Sequence, residues 1–353
     1  LEPLLDLVAV SIVSDIVPIT GENRILTYHG LRRLNSNPSV GLRAIIRVCQ
    51  LQSKKSINIS DIIFKIGPRI NASGRVQSGR EAVDLLVSRD YNEAYRKSCE
   101  IDQYNEDRKE LDKRITEEAN EILQSRIDLS NRRSIVIYNK DWHKGIIGIV
   151  ASRFTEIYYR PAVVLTLSDG LATGSARSVQ GFDIYKAVES CRDLLENFGG
   201  HTYAVGLSLK EEHIKEFTQR FEEYVSENIE PTQTTPQIDI DTQLDFSEIT
   251  PEFITLLRQF NPFGPGNNKP TFYTASVCDF GTSRLVGRQQ EHLKLELIDS
   301  KSSHILNGIA FNKKKYYEHI KSGKPFDICY TIEDNQRGGD DIQLLIRDIR
   351  CHE

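Results

Sequence analysis

The stretch SIVIYNKDWHKGIIGIVASRFTEIYYRPAVVLTL, residues 134–167, decides the fold of the middle of the chain. Its first five and last seven residues are short apolar runs of the kind that form buried strands. Residues 146–159 between them have the length and apolar periodicity of a helix. A helix that returns the chain to a second strand predicts a parallel strand pair within an α/β layer.

The sequence after this stretch extends the α/β layer and then changes character. A helix from about Asp183 to Asn197, a glycine–histidine turn at 198–201, a strand at 204–209 and a helix at 211–226 follow. Residues 230–237 have the composition of a linker. Beyond them, five or six candidate strands with one helix predict a small all-β barrel of the OB type.

The sequence before the stretch is predicted to be helical. Residues 30–88 have the pattern of short helices, interrupted by a loop at GPRINASGR (67–75). A long polar helix is predicted from Tyr91 to Arg126. Its apolar stripe is thin and is interrupted at Arg108 and Glu118, which suits a helix that connects two bodies.

The composition limits the class of protein. A chain of 353 residues with 39% hydrophobic and 27% charged residues is long enough for two or three globular domains. The sequence shows no apolar run long enough to cross a membrane and no signal peptide. Six scattered cysteines without a CxxC pair argue against a zinc site or disulfides and predict a cytoplasmic protein. The chain starts with Leu1 and contains no Met, so we expect missing upstream residues and lost methionines.

Charge is distributed unevenly along the chain. The formal net charge is −5, yet residues 31–80 carry ten Lys and Arg against one acidic residue. Residues 211–252 carry twelve acidic residues against two basic ones. A local basic block can bind a polyanion whatever the total charge is, although a solvated basic face is the common alternative.

Two segments have the composition of phosphate-binding turns. In GSARS (174–178), Gly174 allows close approach of the backbone, and the side chains of Ser175, Arg177 and Ser178 can donate hydrogen bonds to phosphate oxygens. In GPRINASGR, Arg69 and Arg75 flank small residues, as in a loop that follows a nucleic-acid backbone. A surface turn is an equally good interpretation of GSARS alone.

Two further segments combine glycine with titratable or aromatic residues. DWHKGIIG (141–148) places Trp142, His143 and Lys144 before a helix, where the basic residues could bind an anion and the indole could stack on a base. Trp142 could equally cover the sheet. FGGHTYAVGLSL (198–209) places a glycine pair, 199–200, before His201, which indicates either close approach to a ligand or a tight turn beside an interior histidine.

These segments, in this order, resemble the RecJ single-stranded-DNA exonuclease family of DHH phosphoesterases, and the resemblance covers nearly the whole chain. DHH-associated domains also occur in nanoRNA and cyclic-dinucleotide phosphodiesterases. The long helix and the barrel favour RecJ. The motifs that carry the resemblance are DLVAVSIVSDIVPITGENR, GPRINASGR, DWHKGIIGIVASR, GSARS, FGGHTYAVG and NPFGPGN.

The resemblance implies a two-metal 5′→3′ exonuclease that uses Mn²⁺ or Mg²⁺. It implies the end of a DHH lobe at 1–30, a basic helical segment with the connecting helix at 31–127, a DHH-associated domain at 128–229 and an OB-like domain at 236–353. It also implies single-stranded DNA as the partner, with a single-strand-binding protein as a candidate second partner and no membrane association.

The resemblance assigns roles to individual residues. Asp15 matches a metal-ligand motif and is assigned to catalysis, and Asp6 is a weaker metal candidate. Ser175 and Arg177 match a 5′-phosphate pocket, and His201 matches a residue that contacts the scissile phosphate. The other implied DNA-binding residues are Arg69, Arg75, Trp142, His143, Lys144, Ser178, Gly199 and Gly200.

The chain departs from the family pattern in its metal ligands. It contains no DHH sequence. Its one DxD, Asp239 to Asp241, falls in a predicted barrel strand, where alternate residues face solvent, and this position explains the two aspartates better than metal binding does. We therefore expect that this chain alone does not hydrolyse DNA. The alternatives are a dinucleotide phosphodiesterase and a non-catalytic binding module. In the barrel, FNKKKYYEH (311–319) is either a strand-binding surface or a loop with incidental tyrosines.

Overall fold

The computed structural model describes residues 2–126, 129–299, 301, 303–334 and 342–352, without the side chains of residues 126 and 130. The chain divides into two compact units. The first comprises Leu1–Val10 and Arg32–Gln237, and the second comprises Ser11–Leu31 and Ile238–Glu353. Residues 1, 127, 128 and 353, at which predicted domain boundaries fall, lie outside the described ranges.

The first third of the chain is helical. Its α-helices are α1 (Leu5–Ser14), α2 (Gly21–Ser36), α3 (Val40–Val48), α4 (Ile59–Asp61), α5 (Gly67–Val76), α6 (Gly79–Leu86) and α7 (Tyr91–Arg126), and a π-helical segment, Ile62–Ile66, joins α4 to α5. Short 3₁₀ segments along the chain are Glu2–Leu4, Leu129–Asn131, Arg192–Leu194, Glu211–His213, Pro231–Gln233, Phe246–Glu248 and Lys314–Tyr316.

The loop predicted at residues 67–75 is wrong, because this segment forms α5. Pro68 occupies the first turn, where a missing backbone N–H has no helical partner to lose. Ala72 and Ser73 are buried, and α5 packs on α6 and α7. Packing of these small residues against α7 overrides the local preference of glycine and asparagine for a loop.

The central part of the chain forms a five-stranded mixed sheet. Its strands are β1 (Ile135–Tyr138), β2 (Ala162–Ser168), β3 (Leu171–Arg177), β4 (Leu195–His201) and β5 (Ala204–Leu209), and its helices are α8 (Ile147–Tyr158), α9 (Ile184–Glu189) and α10 (Ile214–Asn228). The strand order is β1-β2-β3-β5-β4; β1 and β2 are parallel, and the other pairs are antiparallel. The predicted α/β domain with a mixed sheet is confirmed.

The two faces of this sheet are covered differently. One face packs against α9 and α10 through a continuous apolar core that includes Val163, Val205 and Phe217. On the other face, α8 packs on β2 and β3, and the C-terminal half of α7 packs on β1. That core includes Ile137 and Phe154. The rest of the second face, on β3, β5 and β4, carries small and polar residues.

The helix predicted to run to Asn197 ends at Glu189, so its predicted length is wrong. The chain from Leu195 instead forms β4, which pairs with β5 along its length. The glycine pair 199–200 therefore lies within a strand, and the turn follows it at residues 202–203. Pairing with β5 makes this segment a strand, and no local sequence pattern predicts that pairing.

The long helix is confirmed at Tyr91–Arg126. Its N-terminal part packs on α3, α5 and α6, and its C-terminal part packs on α8 and β1. It thus joins the helical segment to the sheet, and both belong to the first compact unit. Within the described ranges, no helix combines the length and the apolar composition needed to cross a bilayer.

The last third of the chain forms a barrel. Its strands are β6 (Thr242–Gln243), β7 (Phe272–Asp279), β8 (Arg284–Val286), β9 (His292–Asp299), β10 (Ile305–Ala310), β11 (Phe326–Asp334) and β12 (Ile342–Cys351), and its helices are α11 (Pro251–Arg258) and α12 (Tyr317–Lys321). The strand order is β6-β7-β11-β12-β10-β9-β8, and pairing of β7 with β9 closes a five-stranded barrel around an apolar core. The predicted OB-like barrel is confirmed.

Candidate phosphate-binding site

The pairing of β3, β5 and β4 places Arg177 and His201 on one side of the sheet. Arg177 lies directly opposite Ala204, and Ala204 lies directly opposite His201. Directly opposed residues project to the same face, and adjacent strands are about 4.8 Å apart, so the two Cα atoms are about 10 Å apart. The two predicted phosphate-binding side chains therefore share the end of one sheet face.

The same register places a row of small residues beside them. Ser175 lies opposite Gly206, which lies opposite Gly199. These residues alternate with Ala176 and Val205, which are buried in the core of the other face. We call Ser175, Arg177, Gly199, His201, Ala204 and Gly206 the open sheet face.

At two glycines of the open sheet face, the surrounding structure leaves room for a side chain. A Cβ atom built on Gly199 meets no atom within 4 Å, and one built on Gly206 meets only the Gly199 carbonyl oxygen at 3.9 Å. Gly200 differs, because its Cβ would lie 2.1 Å from the Ala204 carbonyl oxygen. Close strand pairing thus explains Gly200, whereas Gly199 and Gly206 keep the floor of the face flat and open to a ligand.

The first turn of α8 lies against the side chains of β3. A Cβ atom on Gly148 would lie 3.1 Å from both Arg177 Nη2 and Ser175 Oγ, so a larger residue here would have to displace these two side chains by a few tenths of an ångström. Arg177 Nη1 donates to Ser175 Oγ at 2.7 Å and to the Ala176 carbonyl oxygen at 2.8 Å. These bonds hold the guanidinium beside the open sheet face.

The turn before α8 also carries Arg75 and His143. Arg75 Nη1 donates to the Gly145 carbonyl oxygen at 3.0 Å. A Cβ atom on Gly145 would lie 2.4 Å from the Arg75 carbonyl oxygen and 3.1 Å from His143 Cε1. The exposed His143 ring accepts the Gly145 N–H at Nδ1. Glycines 145 and 148 thus let α5, α8 and β3 meet.

Four arginines surround this junction, and we call Arg75, Arg108, Arg153 and Arg177 the arginine cluster. In the described part of the chain, one carboxylate pairs with it: Asp112 accepts from Arg153 Nη2 at 2.8 Å. Burial, and next the charge of Arg75, lower the pKa of Arg177. Burial, and next the charge of Arg108, lower the pKa of Arg75. The four arginines and Asp112 together therefore carry a net charge of +3. A further carboxylate, Glu106, raises the pKa of Arg108 through its charge.

His201 is exposed at the end of β4, with its ring available to a ligand. Its Nδ1 accepts the backbone N–H of Tyr203 at 3.3 Å, which fixes the ring orientation, and no partner of Nε2 is found among the described residues. Tyr203, half exposed, follows it in the hairpin turn. The ring is thus oriented by the hairpin and not satisfied within the core.

Some predicted binding residues are used elsewhere in the fold. Trp142 is 4% exposed and its Nε1 donates to Glu118 at 2.8 Å, so its predicted stacking on a base is wrong. Lys144 donates to Ser168 and pairs with Asp169 at the β2–β3 turn. These contacts hold the lysine at that turn, which does not belong to the open sheet face.

Two more predicted residues have structural partners. Arg69 pairs with Asp102 at 2.7 Å and thereby links α5 to α7. The Ser178 hydroxyl donates to the Phe182 carbonyl oxygen at 2.7 Å. The ion pair of Arg69 with a carboxylate distinguishes it from Arg75 and Arg177, whose hydrogen bonds to the protein are made to neutral oxygens.

The residues present do not form a metal site by themselves. Asp6 is fully buried, accepts the backbone N–H of Ser39 at 2.6 Å and lies 3.6 Å from Arg33 Nε, so its carboxylate has protein partners that do not favour its assignment as a metal ligand. Asp15 is exposed just after the end of α1 and offers a single carboxylate. Within the described ranges, no group of three or more His, Cys, Asp or Glu side chains is placed to hold a metal ion.

Sequence reasoning missed Arg108, Asp112 and Arg153 as members of the site. Arg108 interrupts the apolar stripe of α7, and that interruption is the signal that could have found it. Its Nε is buried and has no hydrogen-bond partner among the described residues. Arg153 ends the motif DWHKGIIGIVASR but carries no other local signal, and nothing in the local sequence distinguishes Asp112 from the many exposed charges of α7.

In the barrel, the predicted surface 311–319 is partly occupied. Lys313 pairs with Asp348 on β12. Lys315 lies over the ring of Tyr316, 4.7 Å from its centroid. Tyr316 and Tyr317 pack against the barrel core. Asp239 and Asp241 are exposed and precede β6, so they are outside the strand predicted for them.

Comparison with known proteins agrees with this architecture. Residues 131–227 match the family profile "DHHA1 domain", and residues 240–348 match "RecJ OB domain". Single-stranded-DNA-specific exonuclease RecJ of Bacillus subtilis is 32% identical over 356 residues, covering 100% of this chain and 44% of that protein. The protein of the same name from Salmonella typhimurium is 34% identical over 359 residues, covering 99% of this chain and 61% of that protein.

The fold is also similar to a solved structure. The crystal structure of Thermus thermophilus RecJ in complex with Mn²⁺ superposes with a TM-score of 0.84 at 26% identity, covering 100% of this chain and 50% of that one. The chain spans about half the length of the relatives it matches. Both domain profiles match, the sequence similarity extends over the whole of this chain, and the fold matches as well. The chain therefore belongs to the RecJ family.

Proposed function

We propose that this chain binds the 5′ end and the adjoining strand of single-stranded DNA in a 5′→3′ exonuclease. The observation that carries the proposal is the convergence of Arg75, Ser175, Arg177 and His201 around the open sheet face. The relatives are named single-stranded-DNA-specific exonucleases, which supports this substrate. The OB-like barrel, a fold that often binds oligonucleotides, supports a strand longer than a dinucleotide.

The terminal phosphate is assigned to Ser175, Arg177 and Arg75. A terminal phosphate carries a charge of about −1.5 to −2 at neutral pH, more than the single charge of an internal phosphodiester. The arginine cluster, with its excess of positive charge, favours the more highly charged group. The planar fork of Arg177 and the hydroxyl of Ser175 suit phosphate oxygens.

The following phosphate is assigned to the floor of the open sheet face and to His201. Gly199 and Gly206 place no side chain above this floor, so a backbone can approach it closely. His201, about 10 Å from Arg177 across two strand spacings, would contact that phosphate with its free ring edge. His143, beside Gly145, would approach the same strand from the α8 side.

Divalent metal ions, if bound as in the solved Mn²⁺ complex, would supply an activated water for hydrolysis. The described residues do not fit a complete metal site, so no hydrolytic step is assigned to them. We propose Asp15 as one ligand, with the remaining Mn²⁺ or Mg²⁺ ligands supplied from outside these residues. This chain by itself is then a binding unit without nuclease activity.

We also propose the domain boundaries 1–30, 31–127, 128–229 and 236–353. The profile matches at 131–227 and 240–348 support the last two. A single-strand-binding protein is proposed as a further partner. A cytoplasmic location is proposed on the cysteines, all six of which are unpaired thiols.

The test compares 5′-phosphorylated with 5′-hydroxyl single-stranded oligonucleotides of one sequence by fluorescence anisotropy. We expect this chain to bind the phosphorylated form about 10- to 100-fold more tightly, from charge-assisted hydrogen bonds worth about 1.5–3 kcal/mol. Arg177→Gln should abolish that preference, because it removes the charge and the fork at the phosphate.

Lys144→Gln is the matched control, because Lys144 is a neighbouring cation held by Asp169. It should keep the preference for the 5′-phosphate. An unchanged preference in Arg177→Gln would place the phosphate elsewhere on the chain. Equal binding of the two oligonucleotides by the unmodified chain would contradict the proposed function.

A further inference from the structure

A buried carboxylate lies inside the arginine cluster. Asp112, in the middle of α7, is 5% exposed. Its Oδ2 accepts from Arg153 Nη2 at 2.8 Å, and its Oδ1 accepts from the Thr116 hydroxyl at 3.4 Å. Arg153 Nη1 also donates to Thr116 Oγ1 at 3.4 Å. The three side chains form a closed network that fixes Asp112 between α7 and α8.

The carboxylate of Asp112 acts on more than the arginine it contacts. Burial is the main cause that lowers the pKa of Arg75 and of Arg108, while the charge of Asp112 raises the pKa of both. Arg177 in turn lies close enough to Arg75 for their charges to repel. Asp112 therefore influences the arginines that are assigned to the phosphate without lying at the phosphate itself.

We propose that Asp112 is a positioning and charge-setting residue that limits how tightly the arginine cluster holds a terminal phosphate. This inference rests on the proposed function. With Asp112 ionised, the cluster has a net charge of +3; without it, the charge is +4. An exonuclease must release each phosphate-bearing product, so a carboxylate next to the phosphate-binding arginines keeps binding reversible.

Substitutions of the two members of the Asp112–Arg153 pair should change the affinity for a 5′-phosphorylated oligonucleotide in opposite directions. Asp112→Asn removes a negative charge and should tighten binding of a 5′-phosphorylated oligonucleotide by roughly 3- to 10-fold, the effect of removing one nearby unit charge in a medium between protein and water. Arg153→Gln removes a positive charge and should weaken that binding by a similar factor. Both should leave the affinity for the 5′-hydroxyl form nearly unchanged.

A merely structural ion pair would behave differently. Loss of either partner would then weaken binding of both oligonucleotides, in step with a lower melting temperature. Asp102→Asn is the matched control, because Asp102 also lies on α7 and pairs with an arginine, Arg69, outside the cluster. It should leave the ratio of the two affinities unchanged. Asp112→Glu should return the ratio to the unmodified value.

The affinities are measured by anisotropy at several salt concentrations on the full chain, with melting temperatures for every variant. Changes of the same sign in Asp112→Asn and Arg153→Gln, or an unchanged affinity ratio in both, would overturn the inference. If Asp112→Asn does not fold, an Arg153→Gln variant that fails to weaken 5′-phosphate binding overturns it alone. Absence of any 5′-phosphate preference in the unmodified chain would instead contradict the proposed function.

Discussion

The arginine cluster and the surroundings of Asp327 in the barrel are both groups of charges within well-packed regions, but their charge balance is opposite. Asp327 is 1% exposed and accepts from Tyr273 Oη, the Ser276 N–H and His352 Nε2 at 2.7, 3.0 and 2.7 Å. It also pairs with Arg350 Nη2 at 2.6 Å. The arginine cluster has one carboxylate for four guanidinium groups.

This difference separates charge used for stability from charge used for binding. Both oxygens of Asp327 are saturated by protein donors, so the carboxylate cross-links β7, β11 and β12 and has nothing left to offer a ligand. Arg75 and Arg177 repel each other, and neither forms an ion pair with a carboxylate among the described residues. Such an arrangement costs folding free energy and is expected where an anionic ligand completes it.

The largest effect is expected in the barrel. Asp327→Asn should lower the free energy of unfolding by about 3 kcal/mol, because the neutral amide replaces an acceptor of several charge-assisted hydrogen bonds. Urea denaturation followed by far-UV circular dichroism measures it. Affinity for the 5′-phosphate should not change, and a loss of less than about 0.5 kcal/mol would show that saturation does not stabilise this barrel.

The pH dependence of the same variant is a control. Burial alone would raise the pKa of Asp327, but the hydrogen bonds from Tyr273, Ser276, Arg350 and His352 outweigh burial and hold the pKa far below its usual range. A carboxyl with a depressed folded-state pKa stabilises fully above its unfolded pKa of about 4, and this contribution falls as pH drops below that value. Asp327→Asn should lack this part of the acid dependence.

A smaller effect of opposite sign is expected in the arginine cluster. Arg177→Gln should raise the free energy of unfolding of the first unit by about 0.5–1 kcal/mol, because it removes a charge that burial and Arg75 disfavour. Thermal denaturation without nucleic acid measures this gain, alongside the loss of phosphate preference. A clear decrease in stability would mean that the guanidinium serves the fold, and the contrast with Asp327 would fail.

The sequence was sufficient for the architecture and for part of the site. The apolar runs at 134–138 and 161–167 predicted the α/β layer, and the five or six candidate strands beyond the linker predicted the barrel. Ser175 and Arg177 came from a motif whose composition suits phosphate, the role of His201 came from the resemblance to the RecJ family, and β-sheet register then brought them to one face. These features depend on local composition and on strand pairing that the motifs themselves contain.

The sequence was insufficient where a distant partner decides the outcome. GPRINASGR became α5 because α7 covers it, and Trp142 became a core residue because Glu118 accepts its indole N–H. The carboxylate of Asp6 accepts the Ser39 N–H and lies beside Arg33, and both partners come from later in the chain. Residue type alone did not reveal whether a charge is already satisfied.

The central claim, that the open sheet face holds a DNA end, is tested most directly by a crystal structure of the chain with a 5′-phosphorylated single-stranded trinucleotide. The account predicts the terminal phosphate within hydrogen-bond distance of Ser175 Oγ and Arg177, and the next phosphate above Gly199 and Gly206, facing His201. A terminal phosphate bound at the barrel or beside Lys144, with the open sheet face empty, would contradict the account.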